Sequence, residues 1–169
     1  MKKIQLGKKE VIHFIGIGGI GMSGLAQIMK TLGFSIQGSD IGNNKNINNC
    51  KKLGIRVFIG HKKSNIAKAT IIVKSSAIKA NNVEMLEAKN KKIPIYDRIE
   101  MLANVIDLKK NIIVTGSHGK TTTTSLVAKI TSSARLDPTI INGGVINSLK
   151  SNAKFGKGDL AVEIGRAHV

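Results

Sequence analysis

The sequence predicts an α/β fold, with one parallel-sheet domain followed by the start of a second α/β domain. Three observations carry this prediction. Short apolar runs alternate with segments of helical period, two glycine clusters each fall between such a run and a helical segment, and one polar patch interrupts the alternation near residue 108. Strand and helix alternating at this spacing imply right-handed crossovers and a mainly parallel sheet.

The elements follow in order. Val11 to Ile17 is apolar and ends in glycines, which suits a buried parallel strand. Leu25, Ile28, Met29 and Leu32 then recur at i, i+3, i+4 and i+7, the period of a one-sided helix, and Gly33 is placed to end it. Phe34 to Gln37 reads as the next strand, ending near Asp40, and further strands are expected at Arg56 to Ile59, Thr70 to Lys74 and Ile93 to Tyr96. Ile99, Leu102, Ala103 and Ile106 share one helical face. The patch Asp107 to Asn111 marks a boundary, so residues 1–108 and 109–163 are expected to belong to different domains. Beyond it come a strand at Ile112 to Thr115, a glycine loop, a helix over 120–134, a strand after Pro138 and a short run, Leu160 to Val162, ending at Glu163.

Composition narrows the function classes. Hydrophobic residues make up 41% of 169, enough for a packed core, and the 18 glycines exceed the usual share of about 7%, which points to sites built from backbone. The formal charge of +17 raises nucleic-acid binding. Against it, 23 Lys and four Arg are spread over the whole chain, and aromatic residues are only 3%, too few for stacking platforms. Cys50 is the one cysteine, so no disulfide or cysteine-based metal site forms within the chain, and a reducing, cytoplasmic setting fits. Met1-Lys2-Lys3 before an apolar run could pass for a signal peptide, but Gly16, Gly18, Gly19, Gly21 and Gly24 would weaken its helix. No stretch reaches the roughly 18–20 apolar residues of a membrane span.

Thr115 to Thr122 reads Thr-Gly-Ser-His-Gly-Lys-Thr-Thr, directly after a strand and before a helix. Amides of such a turn converge on phosphate oxygens, and the helix N-terminus adds its dipole. Gly116, Ser117, His118, Gly119, Lys120, Thr121 and Thr122 are therefore the candidate ATP-phosphate site, with Lys120 reaching the β- and γ-phosphates and the Thr121 hydroxyl ligating Mg²⁺. The standard loop would have glycine at position 114, where this chain has Val114. This part is read as the start of a P-loop α/β ATPase domain.

Gly16, Gly18 and Gly21 form G-x-G-x-x-G after the first strand, and Asp40 follows 19 residues after Gly21. That is the Rossmann-like dinucleotide pattern, with the acid placed to accept from a ribose hydroxyl. Taken alone it suggests an NAD-dependent oxidoreductase. An oxidoreductase has no need of a triphosphate loop about 100 residues later, whereas a diphosphate-linked sugar nucleotide and ATP would together fill both cradles.

With these residues in hand the chain resembles the Mur ligases over nearly its whole length, and among them those acting on UDP-N-acetylmuramate with L-alanine. Gly16 to Gly24, Gly38-Ser39-Asp40, Gly60-His61 and Ser75 to Ile78 resemble the UDP-sugar domain. Arg98 with Glu100-Met101-Leu102, Thr115 to Thr124, and Asn142-Gly143-Gly144 with Asn147 resemble the next stretch. The resemblance implies that ATP and Mg²⁺ drive amide formation between L-alanine and the muramic carboxylate through an acyl phosphate. Lys120 would be catalytic, stabilising charge during phosphoryl transfer. Gly16, Gly18, Gly19, Ile20, Gly21 and Met22 would hold the UDP diphosphate, with Asp40, Ser75, Ser76 and Ala77 near ribose or uracil. Ligases that recycle wall peptides are similar but carry a different first loop.

Other residues read more plainly: His118 as loop-shaping, His61 as a turn residue, His13 as a strand residue and Cys50 as packing. Glu163, at a strand end, could coordinate Mg²⁺ beside the loop, where the family's acidic cluster begins. Ile-Gly-Arg-Ala-His-Val at 164–169 departs from the family and reads as an artefactual tail to a truncated frame, so the central domain is expected to be incomplete and the polypeptide inactive alone.

Overall fold

The computed structural model describes residues 4, 6, 7, 9–146, 151–154 and 156–164. The chain divides into two compact units, Met1–Asn104 and Val105–Val169. Of the expectations above, Asn147 and the tail from residue 165 lie outside the described residues.

The first unit is built on strands β1 (Val11–Ile15), β2 (Ser35–Asp40), β3 (Arg56–Ile59), β4 (Ile71–Lys74) and β5 (Ile95–Asp97), with helices α1 (Ile20–Thr31), α2 (Lys45–Lys52), α3 (Val83–Asn90) and the start of α4 (Arg98–Ile106). All neighbouring strands are parallel, in the order β3-β2-β1-β4-β5. The direction of winding therefore reverses between β1 and β4, and the crevice outside their C-terminal ends is where a doubly wound sheet binds ligands.

Local chemistry sets the boundaries. β1 is two residues shorter than its apolar run because Gly16 turns the chain at φ +81°. α1 ends on Gly33, at φ +89°, where the amide of Phe34 bonds back to Met29 O at 3.0 Å, so the expected glycine stop is present. β2 starts one residue later than expected and runs on through Asp40, since Gly38 and Ser39 continue the register with Phe14 and Ile15. Asn44 and Asn82 cap α2 and α3 by accepting first-turn amides. The core on one side of the sheet is Ile15, Ile66, Ala69, Ile72, Met85 and Ala88. Each large member contributes about 1.5–3 kcal/mol by leaving water. α1 buries Met22, Leu25, Ala26, Ile28 and Met29.

The second unit has strands β6 (Lys110–Val114), β7 (Thr139–Ile146), β8 (Ser151–Lys154) and β9 (Leu160–Ile164), and helix α5 (Lys120–Ser133). The sheet order is β6-β9-β7-β8, with β8 the antiparallel member. β6 begins inside the polar patch rather than after it, because Lys110 and Asn111 pair with Leu160 and Ala161. β8 has no counterpart in the sequence reading, as Ser-Asn-Ala-Lys carries no apolar alternation. Among the described residues, no helix is long and apolar enough to cross a membrane.

Candidate functional site

The first glycine loop leaves β1 at the switch point. Gly16 and Ile17 both donate to Ser39 O, at 2.8 and 3.0 Å, tying the loop to the end of β2. Gly18 is held on both sides of its peptide plane: its amide donates to Asp40 Oδ2 at 2.8 Å, and its carbonyl accepts from Asn44 Nδ2 at 3.1 Å and Asn46 Nδ2 at 2.9 Å. A Cβ on Gly18 would stand 2.8 Å from both Asp40 Oδ2 and Asn44 Nδ2, so only glycine fits this brace. α1 then starts at Ile20 without a side-chain cap, its first bond running from Ser23 N to Gly19 O. The amides of Ile20, Gly21 and Met22 consequently point out of the helix end, the arrangement that attracts phosphate.

The individual side chains differ in their availability. Ile20 is 60% exposed beside the loop, whereas Met22 is buried in the core and offers only its backbone. Asp40 spends Oδ2 on Gly18, and its Oδ1 lies 3.5 Å from the Gly42 amide. Ser75 bonds Ile15 O through its amide at 3.1 Å, and its Cβ lies 3.1 Å from the Cβ position of Gly16, so the β4 end abuts the loop. Its Oγ accepts from Ala77 N at 3.4 Å, and Ser76 and Ala77 are exposed beside it.

Arg98, the first residue of α4, was not singled out as a site residue from sequence, yet its Nη1 stands 2.8 Å from the Cβ position of Gly21. Gly21 is thus the residue that lets a guanidinium reach the first turn of α1, where it can pair with a phosphate. The signal available in the sequence was the coincidence of a glycine at the loop's third position with an arginine opening a helix after the fifth strand.

The second loop follows β6. Gly116 has φ +146° and Gly119, the N-cap of α5, φ +76°, both in the region that favours glycine. Thr123 N donates to Gly119 O at 2.9 Å, and Lys120 Nζ donates to Gly116 O and, at 3.1 Å, to Ser117 O. Lys120 therefore closes the loop into a ring with its charge at the centre. Ser117, His118, Thr121 and Thr122 are exposed around it.

Glu163 sits in β9, opposite Ile113 of β6 and Ile141 of β7, one register step before the end of β6. β6 and β9 being parallel, Glu163 lies at the sheet edge from which the second loop departs. Burial first, and Asp107 in addition, raise its carboxyl above the ordinary range, and a divalent cation would offset both. Among the described residues no group of three or more His, Cys, Asp or Glu is gathered for a metal. Glu163 and the Thr121 hydroxyl, the cation ligands expected from the sequence, are both oxygen donors, the type a hard cation takes.

Comparisons with known proteins show the family. A family model described as "Mur ligase family, catalytic domain" matches residues 11–110, ending before the second loop. A UDP-N-acetylmuramate–L-alanine ligase from Pelagibacter ubique (strain HTCC1062) is 65% identical over 160 residues, 95% of this chain and 34% of that protein. One from Parvibaculum lavamentivorans is 54% identical over 89% of this chain and 31% of its own length. The chain thus spans about a third of the length of these curated relatives. Among solved structures, the UDP-N-acetylmuramate-alanine ligase MurC of Thermotoga maritima superposes with a TM-score of 0.67 at 35% identity, over 90% of this chain and 36% of that one. A UDP-N-acetylmuramate:L-alanyl-gamma-D-glutamyl-meso-diaminopimelate ligase from Neisseria meningitides gives 0.67 at 29% identity, over 92% and 52%.

Proposed function

Since the chain belongs to the Mur ligase family, we propose that it carries the UDP-sugar and ATP-phosphate cradles for ATP-dependent joining of L-alanine to UDP-N-acetylmuramate. The observation that supports this reading best is the pair of glycine loops, each at the C-terminal end of a strand and each opening a helix N-terminus. Two anion cradles suit two phosphorylated ligands. We assign residues 1–108 to the UDP-sugar module and 109–163 to part of the ATP-binding module.

In this reading Gly16, Gly18, Gly19, Ile20, Gly21 and Met22 hold the diphosphate through backbone amides, and Arg98 adds a charged donor. Asp40 accepts a ribose hydroxyl through Oδ1, and Ser75, Ser76 and Ala77 line the nucleoside side. Gly116 to Thr122 cradle the ATP phosphates. Lys120 leaves its two loop carbonyls for phosphate oxygens, stabilising charge as the γ-phosphoryl passes to the muramic carboxylate. The alanine amine then attacks the acyl carbon, and phosphate leaves. Thr121 and Glu163 would hold Mg²⁺, which supplies charge neutralisation at the phosphates.

The 29%-identical Neisseria ligase keeps peptide-recycling ligation as a second reading of the same cradles. The curated relatives named above, at 54–65% identity, favour L-alanine addition. Isothermal titration of the chain with UDP-N-acetylmuramate, NAD and MgATP is the test. The reading expects the first and third to bind; binding of NAD without the UDP-sugar would turn it into an oxidoreductase.

A further inference from the structure

A buried carboxylate stands behind the nucleoside side of the first unit. Glu84, in the first turn of α3, is fully buried, as are His13 of β1 and Ser39 of β2. Ser39 Oγ donates to Glu84 Oε2 at 2.5 Å, and Asn65 Nδ2 donates to Oε1 at 2.6 Å. The Lys62 amide reaches Oε1 at 3.4 Å. His61 Nδ1 lies 3.1 Å from Oε2 and 3.2 Å from Ser39 Oγ.

Proton accounting fixes the tautomers. Burial works to raise the Glu84 pKa, but the approach of His13, Ser39 and Asn65 overcomes it and holds the carboxyl at about 2, so Glu84 is an acceptor at neutral pH. Ser39 has a single proton, which Glu84 receives, so the hydrogen between His61 and this pair sits on His61 Nδ1. On the opposite wall, Gln37 Nε2 donates to Asn65 O at 2.9 Å and turns its second hydrogen to His13 Nδ1 at 3.2 Å. His13 therefore carries a proton on Nε2, 3.5 Å from Glu84 Oε2, at the outer limit of hydrogen-bond reach. The titratable groups facing Glu84 are thus His13 from β1 and His61 from the turn after β3; Lys62 presents backbone.

The arrangement ends at the ligand edge. Gly60, at φ +84°, donates its amide to Asp40 O at 2.7 Å, so His61 emerges beside the acid that braces the first loop. With Nδ1 engaged behind, Nε2 is the nitrogen that His61 has left for a ligand, on a side chain 14% exposed. A buried charge adds little stability over apolar packing of the same volume, so its use is to be sought in geometry.

We propose that Glu84 is a positioning residue of the nucleotide site: it locks His61 as the Nδ1–H tautomer, so that Nε2 accepts a hydrogen bond from a nucleoside donor, a ribose hydroxyl or uracil N3–H. The proposal rests on the UDP-sugar reading and deepens it. It accounts for the expense of burying a carboxylate under a histidine that reads, from sequence, as a turn residue.

Long-range ¹⁵N–¹H NMR of the 169-residue chain reads the tautomer without any variant. The expected result is Nδ1–H with an unprotonated Nε2 at His61; a proton on Nε2, in the other tautomer or in the imidazolium, overturns the proposal. Glu84→Gln should then move His61 toward Nε2–H and weaken UDP binding by about tenfold, roughly one hydrogen bond to a ligand. Wild-type affinity in a folded Glu84→Gln chain overturns it. Should that variant fail to fold, His61→Gln, which keeps an acceptor, must bind UDP about tenfold more tightly than His61→Ala; equal affinity overturns the role. A loss against 3-methyl-UDP identifies the uracil donor, a loss against 2′,3′-dideoxy-UDP the ribose, and no loss against either rules the acceptor role out. A wild-type chain that binds no UDP removes the nucleotide reading itself. Nε2–H in a chain that does bind UDP removes only the positioning role.

Discussion

Asp40 and Gly18 are joined by a 2.8 Å hydrogen bond from the Gly18 amide to Oδ2, which makes the acid at the end of β2 a brace for the first loop. Gly18→Ala places a methyl 2.8 Å from that oxygen and from Asn44 Nδ2. The brace must open. UDP-N-acetylmuramate affinity is expected to fall by at least about tenfold, with a stability loss of about 1–3 kcal/mol, both read by titration and urea unfolding. Unchanged affinity would remove the first loop from the site.

Gly38 tests packing independently of any ligand. Its Cβ position is 2.7 Å from Phe14 O and from Ile17 Cδ1, and the carbonyl belongs to the central strand of the sheet. Gly38→Ala should cost about 3 kcal/mol, the upper range for overpacking, seen as a lower urea midpoint with unchanged slope.

Lys120 is the single cation that closes the second loop, through Gly116 O and Ser117 O. Lys120→Ala is expected to weaken MgATP binding by at least about tenfold while UDP-N-acetylmuramate binding is kept. Loss of both ligands together would show that the two cradles are not separate sites.

The Glu84 network also sets a pH dependence. Its carboxyl is lowered from 4.5 to about 2 in the folded chain. A depressed acid stabilises the fold fully above the unfolded pKa and loses that contribution as pH falls through the folded one. Stability should therefore decline between about pH 4.5 and 2, by on the order of 3 kcal/mol from this group. Glu84→Gln should flatten that segment in pH-resolved urea unfolding; an unchanged slope would assign acid lability to other carboxylates.

Cys50 provides a probe of opening. It is buried on α2, and burial pushes its thiol up to about 11. Labelling by a disulfide reagent at neutral pH should be slow in the folded chain and rapid in urea.

Much of the architecture was legible because it depends on local chemistry. Glycine at 16 and 33 must turn the chain, and apolar residues at helical spacing must face a sheet, so β1 and α1 could be placed from sequence. α4 falls where its period puts it, but it buries Met101, Leu102, Val105 and Ile106, while Ile99, expected on the inner face, is 62% exposed. Arg98 and Glu84 could not. Arg98 matters because it fills the space left by a glycine 77 positions earlier in the chain. Val83 to Asn90 is a short helix, and nothing in its spacing says that Glu84 will be enclosed by groups from β1, β2 and the turn after β3. Polar cores are assembled by tertiary register, which a single sequence does not display. Asp40 reads from sequence as a ribose acceptor; what the structure shows of it is a bond to the Gly18 amide.

The parallel order of the first sheet also has a timetable. β1 lies at its centre, with Ile12 opposite Ile36 on one side and Ile71 on the other. During synthesis at about 5–20 residues per second, the second partner arrives about 3–12 s after β1 itself. For that interval the central strand of the first sheet has one bare edge. The stretch made in between, residues 41–70, is rich in lysine and asparagine.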